Sequence, residues 1–279
     1  MPELPEVETV MRGMQIALQD RTITTTHVHR HDLRWQIPAN FAQQVDGRCI
    51  VSFERRGKYI FIRLSGGLSI LLHLGMSGRI VLDSPLPPAK HEHVVFVTDD
   101  GKRCGFIDPR RFGMLDLVQT EHELQHRLLV HMGPEPLSAL FTPQTLAHAL
   151  AHKNTPIKTL LLDQHVVAGL GNIYVCEALY RAKIDPRSAA KNLKKTDITQ
   201  LVKAIRAVLS EAIAAGGSSL KDYVRPEGGL GYFQHAWKVY GRAGEKCPTC
   251  ATHPHCPGVQ RITQAGRSTF FCPTVQKLR

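Results

Sequence analysis

The chain has 279 residues and a mass of 31.1 kDa, enough for about two domains and perhaps a small third unit. Lys and Arg number 35 against 24 Asp and Glu, giving a formal charge of +11 and a pI near 9.5, which suggests a polyanionic partner, nucleic acid first. No apolar run approaches the roughly 20 residues of a membrane span, and no signal-peptide pattern opens the sequence, so a cytoplasmic, non-membrane protein is expected.

The chain opens Met1-Pro2-Glu3-Leu4-Pro5-Glu6. Removal of Met1 would leave Pro2 with a secondary ring amine, and α-amino groups titrate at about pH 8, so part of it is unprotonated at neutral pH. A secondary amine that attacks an aldehyde-like carbon proceeds to a charged iminium, an electron sink, and Glu3 is a carboxyl placed to move protons beside it. Read alone, Pro2 and Pro5 would only stiffen a terminus. Val7, Val10, Met11, Met14 and Leu18 then recur at helical spacing, with Pro5 near the start and Glu6 and Glu8 in the first turn.

From about residue 22 to 118 the pattern is one of short strands. Runs lie around Ile23 and Val28, and at Cys49 to Phe53, Tyr59 to Leu64, Leu68 to Leu74 and Arg79 to Leu82. Val94 to Thr98 and Arg103 to Ile107 flank Asp99-Asp100-Gly101, a hairpin turn. An antiparallel sandwich or barrel follows from this spacing. The proline-rich stretch Leu82 to Pro88 reads as a loop, and Gly133-Pro134-Glu135-Pro136 as a linker. Helices are predicted at Pro143 to Ala151, Pro156 to Asp163, Ile173 to Ala182 and Lys195 to Ala215, the last closed by Gly216-Gly217. Of seven cysteines, Cys49, Cys104 and Cys176 read as core residues, and Cys247, Cys250, Cys256 and Cys272 crowd the end of the chain. Clustered cysteines in a cytosolic chain read as metal ligands rather than disulfides.

Three separated stretches, MPELPEVE at the start, HLGMSG (73–78) with DPRRFG (108–113), and GLGNIY (169–174), together with the cysteine cluster, resemble the bacterial formamidopyrimidine-DNA glycosylases over the whole chain. The resemblance implies an α+β multidomain fold: an N-terminal β-sandwich flanked by helices (1–133), a helix–two-turns–helix domain (137–234) and a C-terminal zinc-finger β-hairpin (235–279). It implies damaged double-stranded DNA as partner, bound in the cleft between the lobes, and a monomeric bifunctional glycosylase and AP lyase for oxidised purines. The related enzyme for oxidised pyrimidines and a non-catalytic DNA-binding protein on the same scaffold are the alternatives. The octapeptide and the Met76, Arg110 and Phe112 set favour the purine type, and intact Pro2, Glu3 and Lys58 favour an enzyme.

By the same resemblance, Pro2 attacks C1′ of the sugar, Glu3 shuttles protons with Glu6 in support, and Lys58 serves the lyase stage. Met76, Arg110 and Phe112 fill the gap left by a flipped nucleotide, and Arg111 is structural. His91, Lys153 and Asn172 contact the DNA backbone, with Asn172 expected to cap the helix it precedes. Arg267 clamps phosphates beside the lesion, since a guanidinium does not usefully give up a proton. The loop from about 217 to 235 is expected to cover the flipped base. The zinc motif departs from the usual C-x2-C pairs: Cys247-Pro-Thr-Cys250 is intact, but Val275 stands where the second pair should end. Cys256 is the expected fourth ligand, completing a Zn2+ site with Cys247, Cys250 and Cys272; His253, His255 or a zinc-free hairpin are the alternatives.

Overall fold

A computed structural model describes residues 2–218, 231–250, 252 and 254–279. Most of the loop expected to cover a flipped base, and His253, therefore lie outside the described residues. The chain divides into two compact units, Met1–His131 with Ile213–Gln234, and Met132–Ala212 with His235–Arg279. Among the described residues no helix is long and apolar enough to cross a membrane.

In the first unit, helix α1 (Leu4–Leu18) buries Val7, Val10, Met14 and Leu18, the predicted stripe, and leaves Ile16 exposed. Two four-stranded sheets follow, every pair antiparallel. One has the order β1 (Ile23–Val28), β6 (Glu92–Thr98), β7 (Arg103–Ile107), β5 (Arg79–Leu82). The other runs β2 (Ile50–Arg56), β3 (Tyr59–Leu64), β4 (Leu68–His73), β8 (Met114–Gln119). Alternate residues of both sheets, among them Ile60, Ile62, Ile70, Leu72, Val94, Phe96 and Phe106, share one core with α1 and the short helix α2 (Phe41–Val45). This is the expected sandwich flanked by helices. Pattern reading passes over α2 and β8, since five helical residues are too few to show a period and β8 starts directly after a glycine-bounded loop.

The connections decide where the loops fall. The chain passes from β4 in one sheet to β5 in the other, and later from β7 back to β8. His73 pairs with Met114 and Arg79 with Ile107, so the loops 74–78 and 108–113 are forced side by side. Gly75 sits at their contact with φ +66, and a Cβ there would fall on the backbone of Phe112 and Gly113.

In the second unit, helices α3 (Pro143–Leu150), α4 (Ile157–Leu161), α5 (Asn172–Arg181) and α6 (Lys195–Ala214) pack around Leu161, Val167, Tyr174, Leu201 and Ile205. α4 ends earlier than predicted because residues 162–171 form a double turn. The Gln164 amide shapes it, donating to the carbonyls of Leu162 (3.1 Å) and Leu170 (3.0 Å) and accepting from Gly169 N–H (2.8 Å). Strands β9 (Gln260–Gln264) and β10 (Arg267–Phe271) form a hairpin around Ala265 (φ 47) and Gly266 (φ 73), a turn with two left-handed residues. Two buried side chains tie this hairpin region to the helices. The Glu177 carboxylate accepts from the N–H groups of Lys238 (2.9 Å), Val239 (3.0 Å) and Tyr240 (2.8 Å). Gln276 accepts from Cys272 N–H (2.8 Å) and donates to the Ile184 carbonyl (2.9 Å).

Gly75→Ala should lower unfolding free energy by about 2 kcal/mol or more, combining left-handed strain with a backbone clash. Urea denaturation of the two proteins measures the difference.

Candidate functional site

The start of the chain is held from two directions. Pro2 is buried and Glu3 is extended at the N-cap of α1. Glu6, one turn in and itself buried, accepts from Glu3 N–H through Oε2 (2.9 Å) and from Ser218 N–H through Oε1 (2.8 Å). One carboxylate thus joins the residue after Pro2 to Ser218 of the same unit. Gly217 (φ +77) permits the approach, because a Cβ there would lie 3.0 Å from Glu6 Oε1. Beyond it, Ser218 bridges to Tyr232.

Lys58 follows Gly57 (φ 59) in the turn between β2 and β3 and is buried despite its charge. His73, at the end of β4, lies opposite Tyr59 in the ladder, with ring centroids 4.7 Å apart. Its Nδ1 accepts from Gly75 N–H at 3.0 Å, so a neutral ring carries its proton on Nε2. Burial, then the charges of Lys58 and Arg34, push its pKa down to about 4.

Around the paired loops lies an open depression of about 740 Å³ lined by Asp32, Leu33, Arg34, Met76, Arg110, Arg111 and Phe112. Met76 is half-buried, while Arg110 and Phe112 project outward, the guanidinium 4.9 Å above the Phe112 ring. Arg111 is left-handed (φ 58) and turned instead onto Asp32 (2.9 Å). The two neighbouring arginines therefore stand in different surroundings. His91 is exposed and left-handed (φ 67), and its carbonyl accepts from Asp108 N–H (3.0 Å).

In the second unit the carbonyl of Ser268 accepts from Asn172 Nδ2 (2.9 Å) and from the buried Lys158 Nζ (3.2 Å). Both bonds fix the residue next to Arg267, whose side chain is exposed beside the hairpin turn. The cap expected of Asn172 is instead Gly171: Asn172 is the first helical residue, and its amide reaches across to the hairpin. Its Oδ1 is buried with no partner among the described residues. Lys153 stands exposed after α3.

The sulfurs of Cys247, Cys250 and Cys272 all lie within 4.8 Å of one another. Cys256 is 2.9 Å from Cys250 and 3.8 Å from Cys272, and Cys250 is 3.5 Å from Cys272. All four are free thiols. A tetrahedral ion with metal–sulfur bonds of about 2.3 Å spaces its sulfurs about 3.8 Å apart, so the cluster can hold a metal ion. Val275 packs against this group as an apolar neighbour.

The formamidopyrimidine-DNA glycosylase N-terminal domain model matches residues 1–115, and the H2TH domain model of the same enzymes matches residues 132–224. The chain belongs to the formamidopyrimidine-DNA glycosylase family. A formamidopyrimidine-DNA glycosylase of Acidiphilium cryptum is 57% identical over 99% of this chain and 100% of its own. The Fpg (MutM) crystal structure from Thermus thermophilus superposes with a TM-score of 0.88 at 39% identity, covering 100% of both chains. Wild-type Lactococcus lactis Fpg, in complex with DNA containing an N7-benzyl-Fapy-dG, gives 0.90 at 34% identity, covering 99% of this chain and 100% of that one.

Within this formamidopyrimidine-DNA glycosylase scaffold, sequence reasoning passed over three residues. His73 lies inside a quoted motif, but its ring partners come from another strand. Asp108 opens DPRRFG, yet its bonds reach six other positions, three of them outside that motif. Lys158 had a visible signal: a lysine among Ile157, Leu160 and Leu161 in a short helix is out of pattern.

The His73 shift makes stability depend on pH. Unfolded chains take up this proton at about pH 6.5, the folded protein only at about 4. Stability from this group is complete above about pH 6.5 and declines as pH falls toward 4. Urea unfolding across that window should show a shallower decline for His73→Gln.

Proposed function

We propose that this formamidopyrimidine-DNA glycosylase excises oxidised purines, 8-oxoguanine and formamidopyrimidines, from duplex DNA through Pro2 and then cuts the strand as an AP lyase. The observation that carries it is the buried Pro2-Glu3 start, immobilised through Glu6, in a chain that matches the family along its whole length. The relative bound to N7-benzyl-Fapy-dG DNA supports the lesion class. A monomer acting on DNA in the cytoplasm is the setting this reading implies.

In the proposed reaction the Pro2 nitrogen, freed of Met1, bonds to C1′ as the C1′–N9 bond breaks and its electron pair leaves with the base. The C1′–O4′ bond then breaks to open the sugar, with Glu3 returning a proton to O4′ and accepting protons in the later steps. The resulting iminium acidifies the C2′ hydrogen, so the 3′ phosphate leaves by β-elimination and the 5′ phosphate by δ-elimination. Water then frees the sugar remnant from Pro2. Lys58 and the Nε2–H of neutral His73 supply donors for phosphate oxygens, Lys58 as a charge and His73 as a fixed dipole. Met76, Arg110 and Phe112 enter the stack vacated by the nucleotide, the thioether and ring as wedges and the guanidinium as donor to the orphaned base. His91, Lys153 and Asn172 grip the backbone, and Arg267 clamps phosphates bidentately.

We further propose that Cys247, Cys250, Cys256 and Cys272 hold one structural Zn2+. Three thiols in mutual reach with Cys256 beside two of them suit zinc, and Cys256 would replace the ligand lost at Val275. The ion would hold the base of the Arg267 hairpin.

Borohydride reduction during reaction with 8-oxoguanine duplex should leave DNA covalently attached to Pro2, located by peptide mass spectrometry. Pro2→Gly, or a form retaining Met1, should reduce the adduct by about a hundredfold or more. An adduct on an internal lysine would refute the mechanism.

Protein purified without added zinc should contain one zinc per chain. Cys256→Ser should lower that content and speed release to a chelator, and an unchanged content would exclude Cys256 as ligand.

A further inference from the structure

We infer that Asp108 is the positioning residue that sets Met76, Arg110, Phe112 and His91 in register for probing the duplex. The inference rests on the proposed excision of oxidised purines and adds a group that touches no DNA. Asp108 begins the crossing that leaves β7 and is fully buried. Its Oδ1 accepts from Ser77 Oγ–H (2.6 Å) and from Arg110 N–H (3.3 Å), and its Oδ2 from Gly113 N–H (2.7 Å). Its carbonyl accepts from His93 Nε2 (2.8 Å) and from Arg111 N–H (3.2 Å), while its own N–H donates to the His91 carbonyl.

The partners follow a pattern. Ser77 adjoins Met76, Gly113 adjoins Phe112, and Arg110 and His91 are bonded directly through their backbones. Each proposed probe is therefore no more than one residue from a bond to Asp108, although they come from three loops. Ser77 Oγ also accepts from Arg110 N–H (3.2 Å), closing a triangle between the two crossing loops. The floor beneath is rigid: a Cβ on Gly113 would lie 2.5 Å from Phe106 Cζ and 3.1 Å from Asp108 Oδ2. A buried acceptor with three donors holds its loop far more firmly than exposed contacts do. The wedge must enter the stack as a preformed unit, and misplacement by about 1 Å can cost roughly a hundredfold.

Asp108→Asn keeps the shape but offers one acceptor and one donor where two acceptors stood, so the three donors cannot all be served. Extruding an intact lesion nucleotide needs the wedge; a nucleotide already lacking its base flips at less cost. Duplexes carrying 8-oxoguanine and the same duplexes carrying a pre-formed abasic site separate the two demands. For Asp108→Asn, single-turnover base excision should fall roughly ten- to a hundredfold, with abasic-site cleavage falling less than about threefold. A 2-aminopurine next to the lesion should brighten more slowly, reporting delayed wedge entry. Ser77→Ala, which removes one bond and leaves Asp108 in place, should give the same split at smaller size and decides the matter if Asp108→Asn does not fold. Equal loss on both substrates, or no loss with a normal 2-aminopurine signal, overturns the inference. Failure of the unaltered protein to excise 8-oxoguanine would instead overturn the proposed function.

Discussion

The constraint on which the first unit most depends is a single carboxylate, Glu6, that bonds to a residue 212 positions away. Glu6 takes one N–H from Glu3 and one from Ser218, and it is buried while doing so. Hydrogen bonds to a charged acceptor are worth about 1.5–3 kcal/mol, and leaving buried donors unserved costs a comparable amount. Helix α1 would form without this arrangement, since its apolar stripe and Pro5 suffice. The carboxylate determines where Pro2 and Glu3 sit. A terminus that would otherwise fray is made as fixed as the core beneath it.

Much of the architecture was legible because it follows from period and punctuation. The stripe from Val7 to Leu18, the short β-rich runs of β3 and β4, and the hairpin around Asp99-Asp100-Gly101 are local signals with local causes. The motif blocks located the loops at 73–78 and 108–113. Illegible were the directions of particular side chains, which depend on partners distant in sequence. Asn172 reads as a cap from its neighbours, yet its amide finds Ser268, 96 residues on. His73 differs from an ordinary strand-end histidine only through Tyr59, Lys58 and Arg34, which no spacing rule connects to it. Cys256 stands out in the sequence only because Val275 breaks the usual pattern; its place beside Cys250 is a matter of loop geometry.

The second unit solves a different problem, that of making a two-stranded hairpin stiff. A lone hairpin is marginal in water. Here the carbonyl before Thr269 is gripped by Lys158 and Asn172, the approach to the hairpin by Glu177, and its exit by Gln276. Phe270 and Phe271 supply buried rings, with Tyr240 edge-on to Phe270 at 5.0 Å and Arg187 over Phe271 at 4.9 Å. The exposed Arg267 is thereby mounted on a rigid support.

The crossing of the chain between sheets has an evolutionary corollary. The loops 74–78 and 108–113 are bracketed by ladder pairs at all four ends, His73 with Met114 and Arg79 with Ile107. Their eleven residues behave as one cartridge seated in a fixed socket. Exchanging both segments together between homologues would transplant the proposed stack-filling tip whole, whereas grafting either alone would leave mismatched halves. Such a module can diversify what it senses while the scaffold around it stays unchanged.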